Sequence, residues 1–152
     1  MGQVAVPERK GYLDVYDHYQ LLGERSVFAH GVHLCDEECA RLAETGSAVA
    51  FCPTSNLFLG SGLFNLPMAE KHKLNVGLGT DVGAGTSFSL LNTLNEAYKV
   101  MQLQGARLDP FKSLYLATLG GGREHCAWKT RSAICNRAAT LTSWYWTTTL
   151  RH

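Results

Sequence analysis

Three short apolar runs alternate with stretches of helical periodicity along the chain. The runs cover residues 26–30, 48–52 and 76–78, and each has the length of a β-strand. Apolar residues at helical spacing, together with capping residues, predict helices over residues 12–22, 36–45, 67–73, 88–103 and 109–119. In this prediction Gly23 ends the first helix, Asp36 caps the second, and residues 54–56 form a loop.

The order of these elements predicts the fold class. One helix comes first, three strand–helix units follow, and a further helix completes the predicted pattern. Strands that are short and almost wholly apolar, each followed by a helix, form parallel sheets that are covered on both faces. The sequence therefore predicts an α/β fold built on a parallel sheet.

Polar residues follow each of the three predicted strands. They are His30, Asn56 and Asp81, and Asp81 stands in the small-residue segment GLGTDVGAG at residues 77–85. Taken singly, the histidine could be a satisfied, partly buried group, the asparagine a turn residue, and the aspartate a cap or turn former. In barrels of alternating strands and helices the active site lies where the strands end. Their shared position predicts that all three belong to one site.

Composition and charge narrow the class of protein and its partners. The 152 residues are 45% hydrophobic and 18% charged, with a net charge of +1, as expected for one globular domain. A charge so close to neutral gives no electrostatic reason to expect a nucleic-acid or membrane partner. The sequence shows neither an apolar run of membrane-spanning length nor a signal segment, so we expect a cytoplasmic protein.

The five cysteines stand at irregular spacings without a CxxC pair. This pattern predicts reduced thiols instead of a secreted disulfide framework. The spacing of Cys35 and Cys39, with His33 nearby, is similar to that of metal ligands. A structural zinc site takes four ligands, however, and the sequence has no second pair of ligands at a suitable spacing. We therefore do not predict a metal at these residues.

Five linked segments carry a resemblance to a known family. The chain resembles the guanine deaminase family of the amidohydrolase superfamily over residues 12–121. The matching segments are FAHGVHL at 28–34, FCPTSN at 51–56, GLGTDVGAG at 77–85, LNEAYK at 94–99 and LATLGG at 116–121. The resemblance implies a zinc-dependent hydrolase, built on a TIM-type (β/α)8 barrel, that converts guanine and water into xanthine and ammonia.

The resemblance also implies roles for the three polar residues. Asp81 would bind zinc, accept a proton from the reacting water and contact the substrate. His30 would hydrogen-bond the water or the developing charge, and Asn56 would contact guanine. The chain would hold barrel strands six to eight. It lacks the family's His-x-His pair, the histidine on strand five and the proton-shuttling glutamate, so we expect it to be inactive alone.

Two alternatives to this interpretation stay open at the level of sequence. One is another amidohydrolase, such as a chlorohydrolase or a different aminopurine or pyrimidine deaminase. The other is a small non-enzymatic α/β domain whose loops only resemble the family. The parent family commonly forms homodimers, and this is the oligomeric state that the resemblance implies.

Residues 1–11 are a loose polar lead, and residues 122–152 differ from the rest of the chain. The latter hold every tryptophan and show no helical or strand period. When the back-translated tail is read from the third base of each codon, the genetic code fixes four letters, E, V, L and D, at positions where the family pattern has them. We therefore predict that residues 122–152 are a frameshifted tail.

Overall fold

A three-stranded parallel sheet forms the centre of the fold. The computed structural model describes residues 11–125, so residues 1–10 of the predicted lead and residues 126–152 of the predicted tail lie outside the described part. Strands β1 (Val27–Ala29), β2 (Ala48–Phe51) and β3 (Asn75–Leu78) lie in the order β1-β2-β3, and both pairings are parallel. The predicted α/β class with a parallel sheet is confirmed.

Helices connect and follow the strands. They are α1 (Tyr12–His18), α2 (Asp36–Glu44), α3 (Pro53–Phe58), α4 (Leu66–Lys71), α5 (Leu90–Leu103) and α6 (Pro110–Tyr115), with a π-helical segment, Leu116–His125, directly after α6. Each strand is thus followed by a helix, as the sequence predicts. Among the helices of residues 11–125, none has both the length and the apolar character needed to cross a membrane.

The first helix ends earlier than predicted. Helix α1 stops at His18, and the left-handed residue after it is Gln20, with φ 57°, instead of Gly23. The backbone N–H of Gly23 instead makes a tertiary contact, because it donates a hydrogen bond to the Ser47 hydroxyl at 2.9 Å. The glycine was therefore a misleading stop signal.

The predicted cap of the second helix is also wrong. Cys35 occupies the N-cap position of α2, and its backbone N–H donates to the Glu38 carboxylate at 3.1 Å. Asp36 instead accepts hydrogen bonds from Lys71 and His72, each at 2.7 Å. The carboxylate thereby ties the start of α2 to the end of α4, a contact between distant residues that local capping rules do not detect.

The predicted loop at residues 54–56 is wrong, because these residues lie in helix α3. Pro53 takes the first position of this helix, where its fixed φ suits the helix and its missing N–H leaves no bond unmade. Thr54, Ser55 and Asn56 are all buried. Packing of their side chains in the interior outweighs the weak helix propensity of these residue types.

The core lies around the central strand β2. Val49 and Phe51 of β2 are fully buried, and the Phe51 ring lies 5.0 Å from that of Phe64, centroid to centroid. Helices α2 and α5 contribute Leu42 and Met101 to the same cluster. Because burial of such side chains is the main source of stability, this core holds the carboxyl ends of the three strands in place.

Candidate active site

His30 is held directly after the end of β1. Its backbone N–H donates to the carbonyl oxygen of Ala50 at 2.9 Å, which extends the pairing between β1 and β2 by one bond. The residue then leaves the strand in the left-handed conformation, with φ 72°. Strand pairing therefore fixes the backbone of His30, while its imidazole stands 40% exposed at the sheet edge.

Asp81 follows β3, which ends at Leu78. It also has a left-handed backbone, with φ 45°, and its carbonyl oxygen accepts a hydrogen bond from the Gly85 N–H at 2.5 Å. A side chain at Gly85 would collide with the carbonyl oxygen of Thr80, so only glycine fits this position without a shift of the backbone. At this position of the small-residue segment, glycine therefore permits a close backbone approach beside Asp81.

The left-handed backbone of His30 and Asp81 marks these residues as candidates for a functional site. Among the described residues, four that are not glycine have positive φ, namely Gln20, His30, Lys73 and Asp81. Gln20 and Lys73 follow helix ends, where a left-handed residue is a common way to end a helix. His30 and Asp81 follow strands, and backbone strain of this kind clusters at functional sites.

The imidazole of His30 faces the carboxylate of Asp81. His30 Nε2 lies 3.8 Å from Asp81 Oδ2, and the two side chains are 40% and 37% exposed. This distance exceeds that of a direct hydrogen bond. A water molecule at about 2.8 Å from both atoms would fit beside the line that joins them. The pair is thus spaced to share one small polar group.

Asn56 contacts the His30 imidazole on its Nδ1 side. Its Oδ1 lies 2.8 Å from His30 Nδ1, and the residue is 2% exposed. An amide oxygen only accepts hydrogen bonds, so the imidazole Nδ1 donates in this contact. The structure therefore brings together all three residues that the sequence placed at strand ends, although it places Asn56 on a helix.

Cys52 is a neighbour of the site that the sequence prediction did not include. Its thiol is buried and donates to the carbonyl oxygen of Ala50 at 3.4 Å. Burial, and then the charge of Asp81, raise the pKa of Cys52 to about 11, so the thiol is protonated at neutral pH. Its place between an apolar strand and Pro53 was the sequence signal for a buried residue beside the site.

The described residues supply only part of a metal site. The Asp81 carboxylate is a suitable oxygen ligand for zinc, but zinc takes three or four protein ligands. Residues 11–125 contain no group of three histidine, cysteine, aspartate or glutamate side chains placed to hold a metal ion. Asp81 thus fits one ligand position, and this part of the chain does not complete the set.

Comparison with known proteins identifies the family. The sequence profile described as "Amidohydrolase family" matches residues 4–126, which is most of the chain. The chain belongs to the amidohydrolase family. Its parallel strands, each followed by a helix, agree with this family's barrel-type fold.

Several guanine deaminases are similar to this amidohydrolase chain. The guanine deaminase of Escherichia coli (strain K12) is 62% identical over 117 residues, which are 77% of this chain and 27% of that protein. The solved structure of E. coli guanine deaminase aligns with a TM-score of 0.76 and 61% identity, covering 78% of this chain and 28% of the other. The chain therefore spans about a quarter of the length of the curated relatives it matches.

Two further solved structures contain bound ligands. A guanine deaminase from C. acetobutylicum with bound guanine in the active site aligns with a TM-score of 0.73 and 28% identity, over 78% of this chain and 30% of the other. An adenosine deaminase from Xanthomonas campestris with bound zinc aligns with a TM-score of 0.74 and 27% identity, over 92% of this chain and 34% of the other. These ligands belong to those proteins.

Proposed function

We propose that this chain forms part of the active site of a zinc-dependent guanine deaminase, which converts guanine and water into xanthine and ammonia in the cytoplasm. The observation that carries the proposal is the convergence of His30 and Asp81, 3.8 Å apart at two strand ends, in a sequence that is 62% identical to the E. coli guanine deaminase. Because the chain spans about a quarter of that relative, the activity belongs to a larger assembly of residues.

Strands β1, β2 and β3 are proposed to be strands six to eight of a (β/α)8 barrel. Support comes from their parallel order and from the helix that follows each of them. Strand β1 lies at one edge of the sheet, and Val27 is 43% exposed there. An edge strand with exposed apolar side chains is suited to pairing with a further strand. In the proposed barrel, strand five takes that place.

Asp81 is proposed to supply one oxygen ligand to zinc. The remaining ligands would come from residues outside the described part of the chain, since residues 11–125 hold no group of three suitable side chains. When bound, zinc supplies Lewis-acid chemistry and lowers the pKa of water. A zinc-bound neighbour, the adenosine deaminase from Xanthomonas campestris, supports this choice of metal.

His30 and Asp81 are proposed to manage the proton of the attacking water. Asp81 Oδ2 accepts hydrogen bonds, and His30 Nε2 is free to accept one because Nδ1 donates to Asn56. A water that donates to both atoms is oriented toward the purine carbon that bears the amino group. Proton acceptors that are positioned in this way accelerate a reaction by about 10²–10⁴-fold. In this proposal, the contacts to guanine itself come from Asp81 and from residues outside the chain.

Complementation tests the proposed function. The full chain is co-expressed with a polypeptide that carries the remaining three quarters of E. coli guanine deaminase, and xanthine formation is measured with guanine as substrate. We expect turnover only when both polypeptides are present and zinc is supplied. Adenosine and a chlorinated triazine serve as comparison substrates, because they represent the alternative amidohydrolase activities. A soluble, associated pair without guanine turnover would refute the proposal. The elution volume of the pair in gel filtration would test the homodimer that the family resemblance implies.

A further inference from the structure

We propose that Asn56 is a positioning residue that holds the His30 imidazole as its Nδ1–H tautomer, with Nε2 turned toward Asp81. The catalytic consequence of this inference rests on the proposed function, whereas the contact itself does not. In this arrangement Asn56 contacts His30 instead of guanine. Three features of the structure support this role.

The first feature is the fixed position of Asn56. Its backbone N–H donates to the Cys52 carbonyl at 3.0 Å, and its own carbonyl accepts from the Ser61 N–H at 2.9 Å. The side chain is buried, with 2% of the residue exposed, and Oδ1 meets His30 Nδ1 at 2.8 Å. Because hydrogen bonds fix its backbone N–H and carbonyl and its side chain is buried, Asn56 is suited to orienting the more exposed His30.

The second feature is that the amide of Asn56 is closed to solvent. Its Nδ2 exposes less than 1 Å² and has no hydrogen-bond partner among the described residues. Its Oδ1 is already engaged by His30. A purine bound beside Asp81 would therefore reach neither atom without a rearrangement of helix α3. Direct recognition of guanine by Asn56 is disfavoured on this geometry.

The third feature is the direction of the hydrogen bond. Because Oδ1 accepts, the proton of the neutral imidazole stands on Nδ1, and the lone pair of Nε2 faces Asp81 Oδ2 at 3.8 Å. Two proton acceptors then face each other across a gap that suits one water. That water can donate one hydrogen to each acceptor, which orients its oxygen lone pairs away from both.

The opposite orientation of the amide makes a different prediction. If Nδ2 donated to Nδ1, the imidazole proton would stand on Nε2 and point toward the Asp81 carboxylate. The two residues would then form a donor–acceptor pair, and a shared water would have only one acceptor. The tautomer of His30 therefore distinguishes the two arrangements directly.

The primary experiment measures this tautomer in the full chain by ¹H–¹⁵N correlation spectra of the histidine rings. Spectra are taken well above the ordinary imidazole pKa of about 6.5, and the His30 signals are assigned with the His30→Gln variant. We expect a protonated Nδ1 and an unprotonated Nε2 on His30. A protonated Nε2 in the unchanged chain would overturn the inference, whether or not guanine deaminase activity is ever found.

Two substitutions at Asn56 separate positioning from simple packing. Asn56→Asp keeps an acceptor oxygen near Nδ1, so the Nδ1–H tautomer should persist. Asn56→Leu keeps the approximate volume and removes the acceptor, so the tautomer should become mixed while thermal unfolding still shows a folded chain. Asn95→Leu, on the exposed face of α5, is the matched control and should leave the His30 signals unchanged. An unaltered tautomer in folded Asn56→Leu would contradict the inference.

Kinetics in the complemented enzyme give the second readout. With guanine as substrate, Asn56→Leu should lower kcat at least tenfold with little change in KM, and Asn56→Asp should recover part of the loss. A tenfold rise in KM at unchanged kcat would instead show that Asn56 binds guanine, and would overturn the inference. If no complemented enzyme is active, the proposed function fails, while the tautomer measurement still decides the role of Asn56.

Discussion

His30 Nε2 and Asp81 Oδ2 lie 3.8 Å apart although they follow strands that do not pair with each other. Strand β2 lies between β1 and β3, which separates the backbones of the outer strands by about 9–10 Å. Both residues leave their strands with left-handed backbones, and their side chains meet across the end of β2. The central strand therefore sets the spacing of the site without contributing a residue to this pair.

Removal of either member of the pair should abolish most of the activity of the complemented enzyme. Asp81→Asn keeps the shape but removes the charged acceptor, and His30→Gln removes the basic Nε2. We expect each to lower kcat for guanine by about 10²–10⁴-fold, the usual contribution of a proton acceptor. Glu44→Gln, a change at an exposed carboxylate of α2, is the control and should retain full turnover. Equal losses in the control and the site variants would show that the assay reports assembly instead of catalysis.

Gly85→Ala should distort the loop that holds Asp81. The added methyl group would collide with the Thr80 carbonyl oxygen, so the backbone of the loop must shift. Enforced backbone strain of this kind costs about 1–3 kcal/mol, which urea unfolding of the full chain would detect. Gly23→Ala is the matched control, because no atom lies within 4 Å of its added methyl group. Its effect should stay within about 0.5 kcal/mol, and a comparable loss in both variants would contradict the steric argument.

The buried thiols should make the chain less stable in alkaline solution. Burial raises the pKa of Cys39 and of Cys52 from 9.0 to about 11. Below pH 9.0 both the folded and the unfolded chain keep these protons, so neither thiol affects stability. Between pH 9.0 and about 11 only the unfolded chain loses them, and the free energy of unfolding should fall by about 1.4 kcal/mol per pH unit for each thiol.

Urea unfolding at a series of pH values, in the presence of a reductant, measures this slope. Cys52→Ala should reduce the slope by the contribution of one proton. Alkylation mapped by mass spectrometry provides the control, since the exposed Cys35 should react in the folded chain, while Cys39 and Cys52 should react only on unfolding. A slope that is the same with and without Cys52 would refute the assignment.

The coding DNA tests the proposed frameshifted tail. In the reading frame that starts at the third base of each codon, the region of residues 122–152 should encode a G-x-L-x-P-G-x-x-A-D turn followed by an apolar strand. The fixed letters E, V, L and D motivate this expectation, because the genetic code leaves no choice at those positions. Sequencing of the coding region is the measurement. A shifted frame that is interrupted by stop codons, or that lacks this pattern, would eliminate the hypothesis.

The sequence by itself determined the parallel α/β arrangement and the three polar residues that the structure brings together. Short apolar runs alternating with helical periodicity predicted the parallel α/β arrangement, because the period of burial differs between strands and helices. The polar residues at the strand ends were found for a related reason. Parallel strands end at the same edge of a sheet, so the class of fold predicted that His30 and Asp81 lie on the same side of it.

Only the tertiary structure decided how the polar side chains pair. Asn56 was predicted in a loop facing the substrate, but it lies in α3 and bonds to a histidine 26 residues away. Asp36 was predicted as a cap, but it binds Lys71, 35 residues away. The local propensities for a loop or a helix at Asn56, and for a cap or a helix position at Asp36, differ by only about a fraction of a kilocalorie per mole. The packing of distant elements, which the local pattern does not encode, therefore selects the partners.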